Sequence, residues 1–84
     1  MDTFLKKMLL DTTLFEVHFT MINAPNGVKF FVFTCDQRGN TYSFNMERAG
    51  SDWRIVNAPS VTELILKNEK GLSEAINQEL ENSK

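Results

Sequence analysis

The chain is 84 residues long, 42% hydrophobic and 24% charged, with a formal net charge of −2 and one cysteine. That length makes a single domain, residues 1–84, with a thin core, and that composition excludes a disordered chain. The weakly acidic balance speaks against a general binder of nucleic acid or anionic membrane, and no apolar run approaches the ~20 residues of a membrane span.

Residues 2–10 predict a short helix. Met1, Phe4, Leu5, Met8 and Leu9 fall on one helical face and Lys6 and Lys7 on the other, with Asp2 or Thr3 as the cap. Asp11-Thr12-Thr13 is the expected exit. A helix of about ten residues does not hold alone in water, so this one must dock on the rest of the chain or on another molecule. Its lysines also leave Met8-Leu9-Leu10 as the longest pure apolar run there, too short for a secretion signal. Together with the lone thiol of Cys35, which suits a reducing compartment, this predicts a soluble, cytoplasmic protein.

Four strands follow, near 14–22, 28–35, 41–47 and 53–57. Phe15, Val17, Phe19 and Met21 alternate with mostly polar residues, and Tyr42, Phe44 and Met46 do the same. Pro25-Asn26-Gly27, Gln37-Arg38-Gly39 and Ala49-Gly50-Ser51-Asp52 supply turn chemistry between them. A three-residue loop, Gln37-Arg38-Gly39, puts Gly39 in the left-handed position that such hairpins favour. Pro59 ends the sheet, and Ser60 with Glu63 fits a capping box. Val61, Leu64, Ile65, Leu72, Ile76 and Leu80 then form one helical stripe. This predicts a helix over 61–82 with a bend near Lys70-Gly71, or else two helices with Gly71 as terminator and Ser73 as a new cap.

The turns also predict the register. The second hairpin sets Thr34 against Tyr42, Val32 against Phe44 and Phe30 against Met46. A four-residue first loop, residues 24–27, sets Phe19 against Val32 and Met21 against Phe30. Both place the large apolar residues on one face, beneath the C-terminal helix. The other face carries Glu16, His18, Thr20, Lys29, Cys35, Thr41, Ser43, Asn45, Glu47, Arg54 and Val56, and in their midst Phe31 and Phe33. Two phenylalanines on a polar face are either floored over by the N-terminal helix or mark a contact site, for a second copy or for another partner.

Chemical motifs are sparse. Lys29-Phe30-Phe31-Val32-Phe33 resembles the aromatic strand of RNA-recognition domains, whose exposed rings stack on bases. The glycines of that motif are absent, and no helix separates the first two strands. His18 and Cys35 share the second face, with Glu16 opposite Cys35, an arrangement that contains a nucleophile and a base but no oxyanion-binding loop. One histidine and one cysteine fall short of a zinc site. Glu63, Glu69, Glu74, Glu79 and Glu81 read as the solvated side of the helical tail, and the glycines are spread one per turn rather than gathered in a phosphate loop.

The expected fold is therefore α+β: a short N-terminal helix, a four-stranded antiparallel β-meander, and a C-terminal amphipathic helix packed on one sheet face. The expected function is that of a small non-enzymatic protein-interaction module, with Phe31, Phe33, His18 and Lys29 as its surface. Its partner is another protein or a second copy, met through the second sheet face or the N-terminal helix. No membrane, cofactor or metal is expected, and no residue pattern points to a small-molecule ligand. The alternative is a single-stranded nucleic-acid binder using Phe31 and Phe33. A small enzyme using His18 and Cys35 ranks third.

Overall fold

The computed structural model describes residues 3–10, 12–56 and 63–82. Five strands form one antiparallel meander, β1 (Thr3–Leu10), β2 (Thr13–Ala24), β3 (Gly27–Asp36), β4 (Thr41–Ala49) and β5 (Asp52–Val56), in the order β1-β2-β3-β4-β5. Two helices follow, α1 (Glu63–Lys67) and α2 (Glu69–Asn82).

The expected pairings all occur: Phe19 faces Val32, Met21 faces Phe30, Val32 faces Phe44, Phe30 faces Met46 and Thr34 faces Tyr42. The first turn is tighter than expected, because Ala24 and Gly27 pair directly around Pro25 and Asn26. At the next turn the Asp36 carbonyl accepts from Gly39 N at 3.2 Å, and Asp36 N donates to the Asn40 carbonyl at 3.0 Å. Gly39 has φ +86°, the left-handed conformation that closes a three-residue loop.

The N-terminal helix is a correction: residues 3–10 form a strand. Its side chains alternate, with Phe4, Lys6, Met8 and Leu10 turned toward the core and Thr3, Leu5, Lys7 and Leu9 turned out. The ring of Phe4 stacks on Phe19, with centroids 4.7 Å apart, and meets Phe30 edge-on at 6.1 Å. Apolar residues at 4, 5, 8 and 9 fit a helical stripe, but those at 4, 8 and 10 also fit a strand once Lys6 is allowed inward. Lys6 breaks the alternation that would have announced a strand, and an edge position tolerates it because a lysine stem can lie along apolar surface while its ammonium reaches water. An eight-residue ladder to β2, from Thr3↔Thr20 to Leu10↔Thr13, and the packing of Phe4 on Phe19 and Phe30 give these residues tertiary partners, without which a helix this short does not hold. The sheet therefore has five strands, not four. The proposed cap Asp2 and exit residue Asp11 lie outside the described residues.

The helical tail is broken, but not at Gly71. Asn68 N donates to the Ile65 carbonyl at 3.0 Å, and Asn68 Nδ2 donates to the Leu64 carbonyl at 2.8 Å. The Asn68 carbonyl then accepts from Leu72 N at 3.0 Å. One asparagine thus closes α1 and opens α2, by the side-chain-to-backbone bonding that makes Asn a helix-end residue. Gly71 lies inside α2, and Ser73 is a buried helical residue rather than a cap. Ser60 and Val61 lie outside the described residues.

The core gathers Phe15, Val17, Phe19, Phe30, Val32, Phe44, Met46 and Trp53 from the sheet with Ile65, Leu72, Ala75 and Ile76 from the helices. Thr34 is fully buried among them, its hydroxyl donating to the Tyr42 carbonyl at 3.1 Å. Trp53 meets Phe30 edge-on at 5.0 Å.

A second stripe of α2 closes the edge of β5. Glu69 Oε2 accepts from Ile55 N at 2.9 Å, and Ser73 Oγ accepts from Trp53 N at 2.9 Å. Asn77 Nδ2 donates to the Ser51 carbonyl at 3.1 Å, and its Oδ1 accepts from the Trp53 indole at 3.1 Å. Four helical residues rise about 6 Å and two strand residues about 6.6 Å, so Glu69, Ser73 and Asn77 keep step with Ile55, Trp53 and Ser51. Glu69, expected on the solvated side, is instead part of this seam. The opposite edge, β1, hydrogen-bonds only to β2 among the described residues.

Candidate interaction face

The helices pack on one side of the sheet, so the register determines what the other side presents. Two central rows run across the strands: Leu5, His18, Phe33 and Ser43, then Thr3, Thr20, Phe31, Asn45 and Val56. Two rows carrying charge flank them: Lys7, Glu16, Cys35 and Thr41 on one side, and Ile22, Lys29, Glu47 and Arg54 on the other. Phe31 is 39% exposed, Phe33 37% and Leu5 50%, and no described element lies over them. Beyond the first charged row, Leu9 and Leu14 pair across β1 and β2 and are also exposed.

The covering helix expected for Phe31 and Phe33 is therefore absent: its residues lie in the plane of the sheet as β1. That change also brings Leu5 beside His18 and into the row of Phe33, an addition that helical reasoning could not make. The signal was there in principle, since Leu5, Lys7 and Leu9 alternate with Lys6, Met8 and Leu10, but the period was ambiguous.

His18 packs edge-on against Phe33, with centroids 6.0 Å apart, and its Nε2 lies 3.7 Å from Glu16 Oε1. Lys29 is half-buried opposite Glu47. Cys35 is half-buried opposite Glu16, and its Sγ donates to the Asp36 carbonyl at 3.5 Å. His18, Glu16 and Cys35 therefore share the face as expected. The contacts of the histidine are the ring and the carboxylate, while the thiol is turned to its own backbone. Among the described residues no cluster of three or more His, Cys, Asp or Glu could hold a metal ion, and no helix is long and apolar enough to cross a membrane.

A groove of about 500 Å3 lies on the helix side, between the β2–β3 turn and the end of α2, lined by Met21, Val28, Arg48, Trp53 and Leu80 among others. The Arg48 guanidinium sits 5.4 Å from the Trp53 ring centroid, and its Nε donates to the Gly50 carbonyl at 3.0 Å. Lys29, Glu47 and Arg48 share its rim, so it favours neither sign of ligand.

No protein-family model matches the chain, and neither a curated protein nor a solved structure shows significant similarity to it. The described residues form a five-stranded antiparallel meander covered on one face by C-terminal helices.

Proposed function

We propose that this chain is a non-enzymatic protein-interaction module that associates with a second copy of itself through its open sheet face. The observation that carries this is the uncovered pair Phe31 and Phe33 on the central strand of a face framed by charge, with His18 next in the row of Phe33 and Leu5 beyond it at the β1 edge. Large apolar side chains grouped on one exposed face are a common mark of a contact surface, and a two-fold dimer is the commonest way to cover one. The half-buried thiol of Cys35 on the same face suits a reducing compartment such as the cytoplasm.

Four strand spacings of about 4.8 Å and about seven residues of strand give a face about 19 by 23 Å. A contact of that footprint is at the small end for proteins, so association is concentration-dependent. The test is the double variant Phe31→Ser, Phe33→Ser. Sedimentation equilibrium is expected to show wild-type chain passing from monomer to dimer with concentration and the variant remaining monomeric, with its circular dichroism unchanged. A variant that unfolds would show that these rings serve the core, and a wild-type chain that stays monomeric into the millimolar range contradicts the proposal.

A further inference from the structure

The charges around the open face are distributed unevenly along the strands, and this sets how two copies can meet. This inference rests on the self-association proposed above. For copies stacked with aligned strands and with the Phe31 and Phe33 rings of each covering those of the other, the two-fold axis lies in the face either along β3 or across the strands. With the axis along β3, Lys29 lies over Lys29 of the other copy and Cys35 over Cys35. With the axis across the strands, passing between the Phe31 and Phe33 rows, Phe33 lies over Phe31 and Cys35 over Lys29. Glu16 then lands over Ile22, which pairs with Lys29, and so comes within one strand spacing, about 4.8 Å laterally, of an opposite charge. Glu47 meets Thr41. No two like charges of the described residues are opposed. We infer that two copies associate with antiparallel strands, Glu16 of each beside Lys29 of the other around the shared Phe31 and Phe33 centre.

The experiment uses charge reversals in the full chain. Glu16→Lys and Lys29→Glu each set like charges together at both symmetric contacts, and each is expected to weaken self-association about tenfold. Each reversal also disturbs its own copy, since Glu16 pairs with Lys7 and Lys29 with Glu47. Mixing separates the two effects. A Glu16→Lys chain with a Lys29→Glu chain restores both opposite-charge contacts, so the equimolar mixture is expected to dimerise within about twofold of wild type while either alone does not. Damage within a copy is not repaired by mixing. Should a reversal fail to fold, the neutral set Glu16→Gln, Lys29→Gln and their combination replaces it, with the combination expected to cost no more than either single change.

A wild-type dimer whose reversed chains do not rescue one another overturns the antiparallel arrangement and leaves self-association standing. A Cys35–Cys35 disulfide that forms readily in the wild-type dimer under mild oxidation overturns it as well. A wild-type chain that never dimerises overturns both.

Discussion

The carboxylate of Asp36 adds three hydrogen bonds to the two that its backbone makes in the turn between β3 and β4. Oδ1 accepts from Arg38 N and Asn40 N, each at 2.9 Å, and Oδ2 accepts from Asn40 Nδ2 at 3.0 Å. The Asn40 side-chain amide holds the carboxyl below its ordinary value; desolvation, the next largest effect, opposes it, and the Asn40 and Arg38 backbone N–H groups and the Arg38 charge add to the lowering. A carboxyl that is a stronger acid when folded stabilises the fold fully above its unfolded value of about 3.9, and that contribution is lost as pH falls through the lower folded value. Denaturant titrations of wild type and Asp36→Asn are therefore expected to differ most at neutral pH and to converge below about pH 4. A difference that stays constant down to pH 2 contradicts this role. Turn chemistry of this kind is legible in a sequence, because Asp, Gly and Asn at these positions have few other reasons to occur together. Phe31 and Phe33 were legible for the same reason: once the turns set the parity of each strand, their side was determined. Lys6 misled, since an inward lysine hides a strand from any count of alternating apolar residues.

The elements show where local pattern gives way to context. A stripe at 4, 5, 8 and 9 is compatible with a helix, and only the unfilled edge of β2 makes the strand the better partner. That edge is invisible until the sheet exists. The break at Asn68 was missed because glycine is the usual terminator, whereas here an asparagine side chain bonds back into α1 and leaves Gly71 inside α2. A Cβ built on Gly71 would meet only Met8 Cε, at 4.0 Å, an ordinary contact. Gly71→Ala is thus expected to stabilise the chain by up to about 1 kcal/mol, read as a rise in thermal midpoint; a fall would show that α2 needs the flexibility. The seam between α2 and β5 predicts the opposite sign. Ser73→Ala leaves the buried Trp53 N–H without its acceptor and is expected to cost about 1–3 kcal/mol in denaturant unfolding. No measurable cost would mean that the seam contributes little to holding the helix.

At the scale of the molecule, the two sides of the sheet differ in what covers them. One is buried under α1 and α2, and the β5 edge is closed by side chains of α2. The other leaves Leu5, Phe31 and Phe33 partly exposed with no described element over them, the arrangement on which the proposed contact rests. Among the described residues no cluster of three or more His, Cys, Asp or Glu could hold a metal ion, the Cys35 thiol donates to the Asp36 carbonyl, and His18 lies beside Glu16. The most direct measurement is an isotope-filtered NMR experiment on a mixed sample of labelled and unlabelled chain, at concentrations where the mass has doubled. Intermolecular contacts are expected from the rings of Phe31 and Phe33, and none from the buried rings of Phe19 and Phe44. Intermolecular contacts arising only from the helices or the rim of the Trp53 groove, with the Phe31 and Phe33 rings silent, would contradict self-association through the open face.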